Sequence, residues 1–201
     1  MTHFTRIENL PSILKYGLYP KANLGELGTA AIINDKLRQQ RFSNATSLSV
    51  QFPNYRMFYK LRCDLLEQES VPKTHWVVLT LRPAILWEKD CAFYITNAAS
   101  SGMVMLDIDT RKSVEAFREL FEERDGKPSR AELGISDRFP TDPQAEVLVF
   151  DKIEPNYILG CAFNTKYNLE KLRTDFPDIL FETKKVRFNS RVDYKHWQEQ
   201  K

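Results

Sequence analysis

An α+β fold is what the sequence predicts, and three observations predict it. Apolar, strand-like stretches are short and numerous. Helical periodicity is confined to brief segments. The regular strand–helix alternation of a doubly wound parallel sheet is missing. In order, residues 2–6 form a short strand. Asn9 to Leu18 follow as a short helix, with Asn9 as its N-cap, Pro11 in its first turn and Gly17 as its stop. Residues 19–29 are a loop, and Ala30 to Arg41 a helix that sets Arg38 and Arg41 on one face. Thr46 to Val50 alternate as a strand, Pro53 to Arg62 form a helix, and Trp76 to Leu81 a buried strand stopped by Pro83. Residues 91–95 are a strand before the turn-prone Asn97, and Ser113 to Arg124 a helix ended by Gly126 and Pro128. Residues 127–143 are a long polar loop. Gln144 to Phe150 is the clearest strand, followed by a strand at 157–163, a helix at 167–174 and a last strand at 185–189.

Composition bounds the function classes. The 201 residues, 42% hydrophobic and 12% aromatic, suit a single domain over 1–201 with a sizeable core. Charge is segregated: nine Lys/Arg against three Asp/Glu in residues 1–62, eleven against eighteen in 63–164, and nine against six in 165–201. Basic ends and an acidic middle permit an anionic partner, and are equally compatible with an ordinary solvated surface. Cys63, Cys91 and Cys161 form no CxxC pair and their number is odd, which suits a reduced cytoplasm. No apolar run approaches the ~20 residues of a membrane span, and Met1 to Arg6 lacks the character of a signal peptide. A soluble cytoplasmic protein is expected. The three histidines (His3, His75, His196) have no metal-ligand spacing, so no metal is expected. Rossmann, P-loop and nucleophile-elbow signatures are absent.

Three constellations could carry chemistry. In the strand from Gln144, side chains alternate, so Gln144, Glu146 and Leu148 share one face. An ionised carboxylate in so apolar a strand must be paired, hydrated or functional, although an isolated Glu more often faces water from an edge strand. One carboxylate suits the breaking of a glycosidic bond, because its charge stabilises the cation that develops. The long loop before it, Phe139-Pro140-Thr141-Asp142-Pro143, is a common setting for function. The second constellation is His3-Phe4-Thr5 with the helix that follows. The third is basic and aromatic, from Lys36 through Arg38, Arg41 and Phe42 to Tyr55, Arg56, Phe58, Tyr59, Lys60 and Arg62. It suits single-stranded nucleic acid, held by phosphate contacts and stacking. It also suits a helix with aromatics in the core and cations in water.

The segments His3 to Leu18 and Gln144 to Val149, in this order and at this separation, resemble the DarT family of DNA ADP-ribosyltransferase toxins over about residues 2–165. The resemblance implies a split pair of mainly antiparallel β-sheets with NAD, as co-substrate, in the cleft between them. It implies that Gln144 and Glu146 form the Gln/Glu-x-Glu element, with Glu146 catalytic, and that His3 holds the NAD ribose. Phe4, Thr5, Asn9, Ser47, Ser49 and Tyr55 would complete the cofactor site. Arg38 or Arg41 would be the second catalytic group, and Arg38, Arg41, Arg56 and Lys60 would contact single-stranded DNA. Ser47-Leu48-Ser49 resembles the Ser-x-Ser strand of one branch of the wider superfamily. Thymine-modifying members carry a different segment where this chain has Thr46 to Phe58, which is similar to the guanine-modifying branch. A cognate antitoxin that removes ADP-ribose is the further partner implied. The alternatives are an ADP-ribosyltransferase acting on RNA or protein, and a non-catalytic nucleic-acid-binding module.

Overall fold

The computed structural model describes residues 1–27, 42–67, 76–164 and 169–198. The helix expected from Ala30 to Arg41 lies outside the described residues. Among the described residues, seven strands form two sheets. β1 (Thr2–Arg6), β3 (Trp76–Leu81), β6 (Ile158–Phe163) and β7 (Leu180–Thr183) make one, in the order β1-β3-β6-β7. β2 (Thr46–Leu48), β5 (Glu146–Val149) and β4 (Cys91–Tyr94) make the other, in the order β2-β5-β4. All pairings are antiparallel except β6 with β7.

Alternation along the strands builds three apolar layers. Val77, Leu79 and Leu81 of β3, with Cys161 and Phe163 of β6, join Leu48, Phe93, Val147 and Val149 of the second sheet in the main core, closed by Leu10, Ile13 and Leu14 of α1 (Leu10–Tyr16). On its other face the first sheet packs Trp76, Val78 and Ala162 on Phe58 of α2 (Tyr55–Glu67) and on Phe188. The second sheet turns Ala92, Tyr94 and Leu148 to a smaller cluster with Phe42 and Ala98.

The short helices are placed by local chemistry. α1 ends at Gly17, whose φ of 94° and close approach to Ile153 O (an added Cβ would lie 2.2 Å away) admit no side chain. α2 is capped by Asn54, whose Oδ1 accepts from Met57 N at 3.2 Å. After α3 (Ile85–Glu88) and α4 (Ser101–Val104), α5 (Val114–Arg118) starts at Ser113, whose hydroxyl accepts from Ala116 N, and runs on only as a 3₁₀ turn to Phe121. α6 (Arg130–Leu133) stands inside the stretch expected to be loop, because Ser129 and Glu132 form a capping box. α7 (Glu170–Asp175) precedes β7.

Several expectations need correction. Residues 19–29 are not plain loop, since Lys21–Leu27 form a 3₁₀ helix. The strand expected at 185–189 is a 3₁₀ turn, Lys185–Phe188, and the last strand is β7. Its partner decides this: Gly160 opposite Leu180 allows the parallel backbone to approach so closely that a Cβ would meet Leu180 O at 2.8 Å. Tyr157 belongs to a 3₁₀ turn before β6. β5 begins at Glu146, and Gln144 sits in the preceding turn, its N–H donating to Asp142 Oδ1 at 2.8 Å. Gln144 therefore does not share a strand face with Glu146.

Candidate active site

Glu146 opens β5, the central strand of its sheet, and is only 3% exposed. The solvent-facing edge position open to an isolated Glu is thereby excluded. Its strand neighbours Val147 and Val149 point into the main core, so Glu146 and Leu148 point to the opposite face. The β2–β5 register sets Ser47 across from Leu148, on that same face and one diagonal step from Glu146. The Ser47 hydroxyl donates to Glu146 Oε1. The other oxygen, Oε2, accepts from Ala98 N at 3.0 Å. Asn97 shapes that loop, its Oδ1 accepting from Ala99 N at 2.9 Å. The carboxylate is thus held from two sides.

The two sheets meet beside this carboxylate. Thr2 N donates to Ser49 O at 2.8 Å and Ser49 N returns a bond to Thr2 O at 2.9 Å. His3 Nδ1 lies 2.9 Å from Ser47 O. A carbonyl only accepts, so Nδ1 carries the proton. His3, Ser47 and Glu146 are therefore consecutive links of one seam. Thr5 and Asn9 are joined to each other, Asn9 Nδ2 donating to Thr5 Oγ1 at 3.1 Å. The expected side-chain cap by Asn9 is absent, because its backbone (φ −80°, ψ −17°) is already helical, continuing the 3₁₀ turn Ile7–Asn9. The ring of Phe4 stacks on Phe58 at 4.5 Å between centroids and fills the outer aromatic layer.

Ser49 and Tyr55 belong to the turn between β2 and α2. Ser49 Oγ accepts from Asn54 N at 3.1 Å. Tyr55 is buried in the first turn of α2, and among the described residues its hydroxyl has no hydrogen-bond partner. Burial, then the nearby negative charge of Asp193, push its phenol up to about 12. Arg56 is half-buried on α2, while Lys60 and Tyr59 are exposed. The helix thus shows both faces expected of it: Tyr55 and Phe58 inward, Tyr59 and Lys60 outward. Arg38 and Arg41 lie outside the described residues. Sequence reasoning missed the loop supports around Asp142. Arg124 Nη1 bonds Asp142 Oδ2 at 2.7 Å and Ile95 O at 3.2 Å, joining the loop before Glu146 to the one that presents Ala98. Their only signal was an arginine-rich but unpatterned sequence. Among the described residues no group of three His, Cys, Asp or Glu could hold a metal ion, and no helix is long and apolar enough to cross a membrane.

Residues 2–197 match the family model described as "ssDNA thymidine ADP-ribosyltransferase, DarT". The chain belongs to the DarT family. The DarT fold is also that of solved structures. Thermosipho africanus DarTG, solved in complex with ADP-ribose, aligns at 21% identity and a TM-score of 0.59, over 93% of this chain and 50% of that one. Thermus sp. 2.9 DarT in complex with NAD+ aligns at 14% identity and 0.58, over 94% and 96%. The same Thermus protein in complex with ADP-ribosylated single-stranded DNA aligns at 15% and 0.53, over 94% and 95%. The chain spans half the length of the DarTG chain it resembles. No protein with a curated description matches it. DarT membership accords with the α+β architecture of two sheets expected from the sequence. The expected guanine-modifying branch finds no support, since the family description names thymidine. Within the Thr46 to Phe58 segment on which that expectation rested, Ser47 and Ser49 anchor Glu146 and the start of α2.

Proposed function

We propose that this DarT-family chain transfers ADP-ribose from NAD to a base of single-stranded DNA. The observation that carries the reading is the buried Glu146, held by the Ser47 hydroxyl and the Ala98 amide at the seam of the two sheets. A carboxylate in a dry, apolar strand is costly unless its charge has a task. Here the task is to accept a hydrogen bond from the 2′-hydroxyl of the nicotinamide ribose and to stabilise the positive charge that develops there as the glycosidic bond breaks. The bonding pair leaves with nicotinamide, a base nitrogen supplies the new bond to the anomeric carbon, and the base proton passes to solvent. His3, fixed through Nδ1 to Ser47 O, holds the ribose. Thr5, Asn9, Ser49, Tyr55 and Gln144, with the backbone at Phe4, complete the surroundings of NAD. Arg38 or Arg41 is the second catalytic group. Arg56 and Lys60 meet the phosphates of a single strand, whose unstacked bases can reach the site.

The family description and the ADP-ribosylated single-stranded DNA bound by Thermus DarT support DNA as the acceptor. The toxin role, a cytoplasmic location and a partner antitoxin that removes ADP-ribose rest on the same family reading, supported by the DarTG name of one structural relative. The test is incubation with NAD and oligonucleotides that each offer one reactive base, followed by intact mass. One oligonucleotide gains an ADP-ribose, and Glu146→Gln lowers the rate by about 10²–10³-fold with the fold retained. A folded wild-type protein that leaves every oligonucleotide unmodified overturns the reading. RNA and protein acceptors in parallel separate a wrong acceptor from a wrong reaction.

A further inference from the structure

The segment from Lys185 to Trp197 touches both loops that flank Glu146. Its Arg187 Nη1 donates to Gln51 O, at the tip of the β2–α2 turn, where Gln51 is the one described non-glycine residue with positive φ (62°). Four residues on, Arg191 is buried to 4% exposure, and its guanidinium donates to the backbone rather than to solvent. Nη1 bonds Pro140 O at 2.7 Å and Nη2 bonds Thr141 O at 2.8 Å, both in the loop that runs into β5. Asp193, 1% exposed, pairs with that guanidinium, Nε to Oδ1 at 2.6 Å, and accepts from Trp197 Nε1 at 2.7 Å. The segment is itself fixed to α2, where Arg62 Nη2 donates to Phe188 O at 2.7 Å. The two loops meet through Phe52 and Phe139, edge to face at 6.2 Å, with the Arg191 guanidinium 5.8 Å from the Phe139 ring.

We propose that this segment is a brace for the two loops that border the carboxylate, and that Arg191 and Arg187 are positioning residues for the NAD that those loops surround. The proposal rests on the reading above. Burying an ion pair contributes little stability that apolar side chains could not supply, but a planar guanidinium fixes two carbonyls and a carboxylate in one geometry. Two anchors of Glu146, Ser47 Oγ and Ala98 N, lie outside the brace. Loosening it therefore spares the carboxylate and disturbs the loops around it.

The experiment compares wild type with Arg191→Met, Arg191→Lys and Arg187→Met, using hydrogen exchange by mass spectrometry and steady-state kinetics with NAD and a single-stranded oligonucleotide. In Arg191→Met, exchange rises in both 49–54 and 139–145. The kcat/KM for NAD falls roughly ten- to a hundredfold, as expected of a displaced reacting partner, while the KM for the oligonucleotide stays near that of wild type. Arg191→Lys recovers part of the loss. Unchanged exchange in the two loops overturns the proposal, and so does an equal loss toward NAD and oligonucleotide. Should Arg191→Met not fold, Arg187→Met carries the test: exchange rises in 49–54 and the KM for NAD rises alone, and no change in either overturns the brace. If wild type modifies no oligonucleotide, the functional reading has failed, and exchange alone decides the brace.

Discussion

Ser47→Ala removes the hydroxyl that donates to Glu146 Oε1 and leaves the backbone carbonyl that receives His3. The bond is to a carboxylate, the kind whose loss costs about 1.5–3 kcal/mol when the acceptor stays buried, and Glu146 is 3% exposed. For a chain of this length each kcal/mol moves Tm by about 2–4 °C, so the variant melts roughly 3–12 °C below wild type. The carboxylate, held now from the Ala98 side, turns away from the orientation in which it stabilises charge. If the lost bond is felt fully in the transition state, kcat falls roughly 10- to 150-fold. Ser47→Thr keeps the hydroxyl and stays close to wild type in both measures. Thermal melting and ADP-ribose transfer to an oligonucleotide are the assays. A Ser47→Ala protein that melts within about one degree of wild type, with kcat within about twofold, refutes the reasoning.

Three further outcomes follow from the same structure. Gly17→Ala forces a Cβ into Ile153 O at a φ of 94°, so it destabilises by more than about 1 kcal/mol in a denaturant titration, whereas Gly126→Ala, with a similar φ but open space around it, costs less. A thiol reagent at neutral pH labels Cys63, which is half-buried, while Cys91 and Cys161, buried and with their thiols pushed up to about 12, react only on unfolding; mass spectrometry of the labelled protein reads the count. Stability falls in alkali: unfolded Cys and Tyr release protons near 9 and 10, whereas Cys91, Cys161 and Tyr55 hold theirs to about 12, so their contribution is complete below pH 9 and is lost as pH rises to 12. Each such group adds a slope of about 1.4 kcal/mol per pH unit in that window, and Cys161→Ala melts with a shallower alkaline decline.

Much of the fold is legible where one local rule decides. The run Trp76 to Leu81 has no reading but a buried strand. Pro11 and Gly17 bracket α1 because one tolerates a missing N–H and the other a positive φ. α6 was equally available, since Ser129 and Glu132 stand at capping-box spacing, but the polar, proline-rich surroundings hid it. β7 was not available. Leu180–Thr183 is strand because β6 offers a parallel edge with Gly160 at the closest approach, a fact about a partner some twenty residues away.

For the site, sequence alone determined the pieces: a carboxylate within an apolar strand, a histidine near the N-terminus, two serines at alternate positions, and their order along the chain. These follow from residue type and spacing, which local physics can read. Only the tertiary structure decided that Glu146 lies on a central strand, away from solvent, with Ser47 one diagonal step off and Ala98 opposite. The same is true of Gln144, left outside the strand by the Asp142 turn, and of Arg191, drawn from the C-terminal region onto carbonyls some fifty residues earlier. Such contacts depend on strand order and register, and those are set by which faces the whole chain can bury together.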